Sequence, residues 1–254
     1  MKNIVIASFQ SRTDLLEKAE KMIADHWPDF MMGTSVNENY WDRLYASPFS
    51  HYQFLAILKE NDQEEVVGVI NAVALPWQHN SFDALPDNGW DCVFELGMQA
   101  DEKQLPCQLI SALSVTVDSR YRGQGIPQRL INALKTYAKD QGYLGVVVPV
   151  RPTLKHLYPL HSFEEYCQWK NDNNEPFDPW IRTHWRLGAT MIKIAPQSMK
   201  IEAPKETWEQ WTSLRFPMSG DYAIPMGLAP VSIDIQHQSG TYLEPNLWMF
   251  HDIN

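Results

Sequence analysis

The chain has 254 residues, 31 acidic against 21 basic side chains, a formal net charge of −10 and ten tryptophans. That length holds one large domain or two small ones, and the acidic balance, with no basic stripe, argues against nucleic acid as a partner. Three cysteines, Cys92, Cys107 and Cys167, without CxxC spacing argue against a disulfide framework or a zinc site. Residues 1–9 carry one lysine and too short an apolar run for a signal peptide, and no stretch is long enough to span a bilayer. These features predict a cytoplasmic protein with reduced thiols, no membrane association and no bound metal.

Residues 4–9, IVIASF, read as a first strand. Residues 12–26 read as a helix with Ser11 or Thr13 as its cap and Leu15, Leu16, Ala19, Met22 and Ile23 as its apolar stripe, stopped by Pro28. Tyr40, Trp41, Leu44 and Tyr45 then recur at helical spacing, so a second helix either walls a cleft with aromatics or packs them on a sheet. HYQFLAILKE (51–60) and EVVGVINAVALP (65–76) flank a polar turn at 61–64 and predict a β-hairpin. A polar loop over 77–89 leads to a short helix over 90–98.

The stretch 113–139, LSVTVDSRYRGQGIPQRLINALKTYAK, carries the most chemistry. Leu113, Val115 and Val117 alternate with polar residues as in a strand, Gly123 and Gly125 punctuate, and Leu130, Ile131, Leu134 and Ala138 mark one face of a helix. A strand ending in glycines at a helix N-terminus aims free amides at one point, where the helix dipole favours an anion. Glycine admits close backbone approach, and Arg120, Arg122 and Arg129 add positive charge suited to phosphate oxygens. The turn is neither GxxxxGK[ST] nor GxGxxG, so residue pattern alone points to a phosphate-bearing ligand.

VDSRYRGQGIPQRLINAL resembles motif A of the GNAT N-acetyltransferase superfamily, [RQ]-x-x-G-x-[GA] between strand and helix, with Arg120, Gly123 and Gly125 at the fixed positions. Pro127 departs from the family's usual Gly or Ala and carries no N–H. The resemblance implies an α/β (α+β) fold: a mixed, mostly antiparallel central sheet flanked by helices, with two strands splayed at the cofactor cleft. It implies acyl-CoA, most often acetyl-CoA, as donor, with Arg120, Arg122, Gly123, Gln124, Gly125 and Ile126 around the pyrophosphate and the backbone of Val115, Thr116 and Val117 along the pantetheine arm. Splayed strands leave N–H and C=O groups for such an arm to satisfy. Superfamily members often draw a general base from the region before motif A, which makes Glu95 a candidate, alongside the reading of an exposed or capping carboxylate.

GVVVPV (145–150) reads as a buried strand and resembles the one beside the motif A strand. Residues 151–177 then form an insertion rich in tyrosine and tryptophan, expected to cover the acceptor side. Its His156, His161, Glu164 and Glu165 fit no metal signature. Asp178-Pro179 opens a helix that Gly188 stops, before the strand ATMIKIA. Residues 178–195 resemble motif B, with His184 where the family has a tyrosine that protonates the departing thiolate. On that resemblance His184 is the general acid, and its place near a helix C-terminus predicts a charged imidazole near neutral pH. Residues 204–214 read as a short helix, and 241–250 as a last strand whose Pro245 marks an edge or bulge.

With no linker or repeat, the chain is expected to be one elaborated domain, 1–254. Its implied function is acyl transfer from acyl-CoA to a small-molecule or peptide amine by direct attack. The alternative is a non-catalytic acyl-CoA or acyl-carrier binding module, favoured by Pro127 and the missing tyrosine. The acceptor's identity and the oligomeric state stay open.

Overall fold

The computed structural model describes residues 3–61 and 63–253. In chain order the elements are β1 (Ile4–Ser8), α1 (Leu16–Ala24), α2 (Ser35–Tyr40), β2 (Phe54–Glu60), β3 (Gln63–Leu75), α3 (Gly89–Glu102), β4 (Leu109–Val117), α4 (Ile126–Asp140), β5 (Gly145–Val150), α5 (Phe163–Gln168), α6 (Pro179–Arg186), β6 (Ala189–Pro204), α7 (Lys205–Thr212), β7 (Gly220–Tyr222), β8 (Val231–Asp234) and β9 (Ser239–Asp252). One nine-stranded sheet runs β1-β2-β3-β4-β5-β9-β8-β7, with β6 also paired to β9. Every pairing is antiparallel except β4 with β5. The expected mixed, mostly antiparallel sheet flanked by helices is the observed one.

Alternation along the strands gives the sheet two apolar faces. Val66, Val69, Val73, Leu113 and Val147 face a first core with Ala19, Met22 and Ile23 of α1, Trp90 and Phe94 of α3, and Trp208 of α7. Val67, Ile70, Ala112, Val146 and Val148 face a second core with the α4 stripe, Phe163 and Cys167 of α5, and Ile181 of α6. The stripe read from sequence, Leu130, Ile131, Leu134 and Ala138, is the buried face of α4, joined by Ile126.

Several boundaries differ from the sequence reading. The 12–26 segment begins with a 3-10 turn over Thr13–Leu15, preceded by another over Phe9–Ser11, and α1 starts only at Leu16, with neither Ser11 nor Thr13 capping it. The expected helix over Tyr40–Tyr45 is a short α2 capped by Thr34, followed by a 3-10 turn over Trp41–Tyr45. These aromatics pack on the first core, so burial rather than helical hydrogen bonding fixes them. The hairpin forms, but His51 and Tyr52 belong to a 3-10 turn; Asp62 of its polar turn lies outside the described residues. The helix over 90–98 extends through Glu102. Opposite Pro245, β6 carries an irregularity between Ala195 and Met199, the bulge its proline implies.

The insertion packs on itself and on the second core, and Arg151 at its start reaches a pocket on the other face. Tyr158, Tyr166, Trp169 and Phe177 pack on one another with centroids 4.9–6.1 Å apart, and Phe163 and Cys167 join the second core. Asp178 ties this aromatic knot to α6. Its Oδ1 accepts the N–H groups of Trp180 (2.8 Å) and Ile181 (3.2 Å), capping the helix, and its Oδ2 accepts the Tyr166 hydroxyl (2.7 Å) and the Leu154 N–H (2.9 Å). Apolar burial drew the segment onto the sheet, and one carboxylate satisfies the polar groups that burial strands. Asp178→Ala removes a cap and leaves a buried hydroxyl and amide unpaired. It is expected to cost about 2–4 kcal/mol, read as a lower urea midpoint at unchanged m-value.

Candidate active site

β4 and β5 pair only at Ile110–Val146 and Ser111–Val147. Beyond Ser111, β4 continues on β3 to Val117, while β5 continues on β9 to Val150. The strands therefore part, and β4 from Ala112 to Val117 runs without a strand partner on that side. Val115, Thr116 and Val117 lie in this parted stretch. A bulge accompanies the parting: Asn71 faces Ser114 and Ala72 faces Ala112, leaving Leu113 extra. Side chains satisfy the irregular backbone. The Trp90 indole N–H donates to Leu113 O (2.8 Å), and Gln53 exchanges hydrogen bonds with the Ala72 N–H (3.0 Å) and C=O (2.9 Å). The Trp27 indole N–H reaches Thr116 Oγ1 at 2.8 Å.

At the end of β4 the chain turns through Gly123 (φ +75°) and Gly125 (φ +72°) into α4. Both angles lie in the left-handed region that favours glycine. Among the described residues, the backbone N–H groups of Gly123, Gln124, Gly125 and Ile126 find no acceptor. Pro127 sits in the first helical turn, where its missing N–H costs no helical bond. A Cβ built at Gly123 meets no atom within 4 Å, so the space before these amides is open. The cradle thus has donors, a dipole and room for a phosphate-sized anion.

The three arginines divide. Arg120, at its motif position, is clamped by Asp118 and Glu65, both at 2.5 Å from its Nη2. Its fork already bonds two carboxylates that hold the turn onto β3, so as a phosphate ligand Arg120 would have to share it. Arg129 donates to Ile4 O (2.8 Å) and fastens α4 to β1. The Arg122 side chain is exposed and makes no hydrogen bond or ion pair among the described residues. His26 holds the turn from the other side: its Nε2 accepts the Ser119 N–H (3.1 Å) while Nδ1 donates to Met22 O (2.7 Å).

On the first-core face, a pocket opens against the parting of the strands. Its walls are Trp27, Met31, Met32, Asn37 and Trp41 from the N-terminal segment, Trp90 of α3, Leu113 and Ser114 of β4, Pro149 of β5, Arg151, Met199 and Asn246. Arg151 is the insertion's sole contribution. The sequence flagged Trp41 as one option for a cleft wall and gave no signal for the others, because they come from distant parts of the chain.

The two carboxyl and imidazole candidates fare differently from expectation. Glu95 is exposed on α3, where its carboxylate accepts the Gln99 amide (3.1 Å), in agreement with its reading as an exposed carboxylate. One turn earlier, Asp91 is half-buried, and burial pushes its carboxyl up to about 6, against the lowering effect of the Lys200 N–H it accepts. His184 is fully buried, its Nδ1 2.9 Å from His251 Nε2. Burial first, and then the neighbouring His251, hold its pKa well below the ordinary imidazole value. The helix C-terminus favours a cation, but desolvation of a wholly enclosed ring is the larger effect. The expectation of a charged His184 near neutral pH is therefore overturned.

The sequence model of the acetyltransferase (GNAT) family matches residues 19–163. The chain belongs to this family. It is similar along nearly its whole length to the arginine N-acetyltransferase avaD of Aspergillus versicolor, 35% identical over 271 residues, spanning 96% of this chain and 92% of the relative. In fold it resembles the loading GNATL domain of CurA from Lyngbya majuscula (TM-score 0.59, 18% identity, 100% and 98% of the two chains). It resembles equally the GphF GNAT-like decarboxylase in complex with isobutyryl-CoA (TM-score 0.59, 14% identity, 99% and 100%). The GNAT assignment makes the protein an acyl-CoA-dependent N-acetyltransferase, an enzyme rather than a passive binding module. No helix among the described residues of this GNAT protein is long and apolar enough to cross a membrane.

Two outcomes are expected. Gly123→Asp should weaken coenzyme A binding by about two orders of magnitude in calorimetry, equivalent to roughly 3 kcal/mol; the new Cβ has space, and the positive φ costs about 1–2 kcal/mol of stability, read separately as a lower urea midpoint. The histidine pair should make stability pH-dependent. His251 is pushed down to about 4 by burial and by Lys135, so between about 4 and the ordinary value of 6.5 the unfolded chain binds more protons. Stability is fully present above about 6.5 and falls with pH through that window, by at most about 1.4 kcal/mol per pH unit for each histidine. His251→Asn should flatten the urea midpoint against pH between pH 6.5 and 4.

Proposed function

We propose that the enzyme transfers the acetyl group of acetyl-CoA to the amine of a small amino acid, L-arginine in the first instance. The observation that carries the reading is the near-full-length similarity to an arginine N-acetyltransferase, which includes the N-terminal segment that walls the pocket. When bound, acetyl-CoA supplies the acyl group as a thioester. The open cradle fits the donor's pyrophosphate: the amides of Gly123 to Ile126 donate to its oxygens, and the exposed Arg122 adds charge not already tied into the fold, as that of Arg120 and Arg129 is. The unpartnered edge of β4, with Val115, Thr116 and Val117, hydrogen-bonds the pantetheine arm as a strand would. A β4 amide in the parting polarises the thioester carbonyl.

The pocket lies on the first-core face and the cradle helix α4 on the second, so the strand parting is where donor and acceptor meet. Trp27, Trp41 and Trp90 orient the acceptor and exclude water, which raises the effective concentration of the amine at the thioester. His184 is assigned no proton transfer; it serves as a neutral hydrogen-bonding wedge between α6 and β9. The free thiols Cys92, Cys107 and Cys167 accord with a reducing, cytoplasmic setting.

The test is acetyl-CoA with L-arginine, following free thiol release and the mass of the product together. Release with an acetylated arginine is expected. Release only in step with hydrolysis to acetate, across a panel of amino acids and amines, would overturn the reading. His184→Asn should keep wild-type kcat at saturating acceptor.

A further inference from the structure

Among the described residues that line the pocket, Arg151 is the one charged side chain. We propose that Arg151 anchors a carboxylate on the acceptor, so that the enzyme selects α-amino acids over amines that lack a carboxyl group. The proposal rests on the N-acetyltransferase reading and goes further by naming the chemical group that the pocket recognises.

Arg151 follows directly on β5, and Pro149 of that strand lines the same pocket as Leu113 and Ser114 of β4. It therefore stands at the parting of the strands, beside the place where the amine must reach the thioester. An α-amino acid carries its carboxylate one carbon away from its amine. An anchor for that carboxylate has to sit next to the reacting centre, as Arg151 does, and not at the far end of the pocket.

The side chain is held for such a task. Its Nε donates to Glu244 Oε1 at 2.8 Å, and its Nη2 donates to Met226 O at 2.7 Å. Glu244 is completely buried, and its other oxygen accepts the Tyr242 hydroxyl at 2.7 Å. Tyr242 in turn accepts the Leu228 N–H at 2.8 Å. Each member fixes the next, so the guanidinium cannot swing. Burial works to lower the Arg151 pKa, but the Glu244 carboxylate outweighs it and holds the group charged. A guanidinium has more N–H donors than the Glu244 and Met226 bonds use, and its planar fork matches a carboxylate.

Stability does not explain the pair. A buried arginine–glutamate pair is commonly no more stabilising than apolar side chains of the same volume. A pocket wall is a costly place for one unless the charge meets a ligand. Glu244 neutralises the arginine, and the two bonds to Glu244 and Met226 leave further guanidinium N–H donors unused among the described residues. The remaining walls are mostly apolar and include Trp27, Trp41 and Trp90.

The experiment is calorimetry on the full chain saturated with coenzyme A, titrated with L-arginine and with agmatine, which is arginine without its carboxyl group. Arginine is expected to bind at least about tenfold tighter, a difference of about 1.4 kcal/mol. Arg151→Met should bring arginine down to the agmatine level and leave agmatine and coenzyme A affinities unchanged. Because that variant strands Glu244, Arg151→Met/Glu244→Gln is measured beside it, and the same loss of discrimination is expected. In turnover, either variant should raise KM for arginine more than it lowers kcat. Equal affinity for the two ligands, tighter agmatine, no arginine binding, or discrimination retained in both variants would each overturn the proposal. Carboxylate-dependent binding without acetyl transfer would support the anchor and count against the proposed reaction alone.

Discussion

A backbone amide or carbonyl inside a protein must find a partner, and on its β5 side β4 has no strand to supply one from Ala112 to Val117. After Ser111 the two strands part. The rest of the site is arranged around this one gap. The bulge at Leu113 turns β4 away, Gln53 and Trp90 satisfy the groups the bulge displaces, and Trp27 braces the strand at Thr116. The deficit is thereby confined to the edge where an amide-bearing ligand would complete the sheet.

The gap also joins the two faces of the sheet. On one face, α4 brings the glycine turn and its free amides; on the other, the N-terminal segment and α3 bring a pocket of aromatic side chains. A sheet is normally a wall between two cores. Here the missing hydrogen bonds leave a gap that both faces reach, and in the proposed reaction donor and acceptor meet there.

Charge is placed with matching economy. Arg120 and Arg129 are used to hold the turn and α4 in position, leaving amides and Arg122 to face the cradle. Arg151 is the converse case, a part-buried cation neutralised by Glu244 and left on the wall of the pocket. His184 and His251 show what happens without such compensation: burial pushes both imidazoles to the neutral form, and they hydrogen-bond each other.

The sequence by itself determined whatever depends on neighbours along the chain. Strand alternation and the glycine turn over 113–139, the amphipathic face of α4, the Asp178-Pro179 helix start and the irregular pairing at Pro245 were all legible, because a few consecutive residues set their backbone angles and local hydrogen bonds. Tertiary structure alone decided the rest. Arg120 looked free until Glu65, far back in the chain, closed on it. His184 looked chargeable because its helix position is local, whereas its desolvation is a property of the whole fold. The insertion's aromatic residues gave no sign of which face they would cover, since that depends on where α6 lands. The pocket drew on the N-terminal segment, α3, both parted strands, β6 and β9, and no spacing rule connects residues that meet only once a sheet has formed between them.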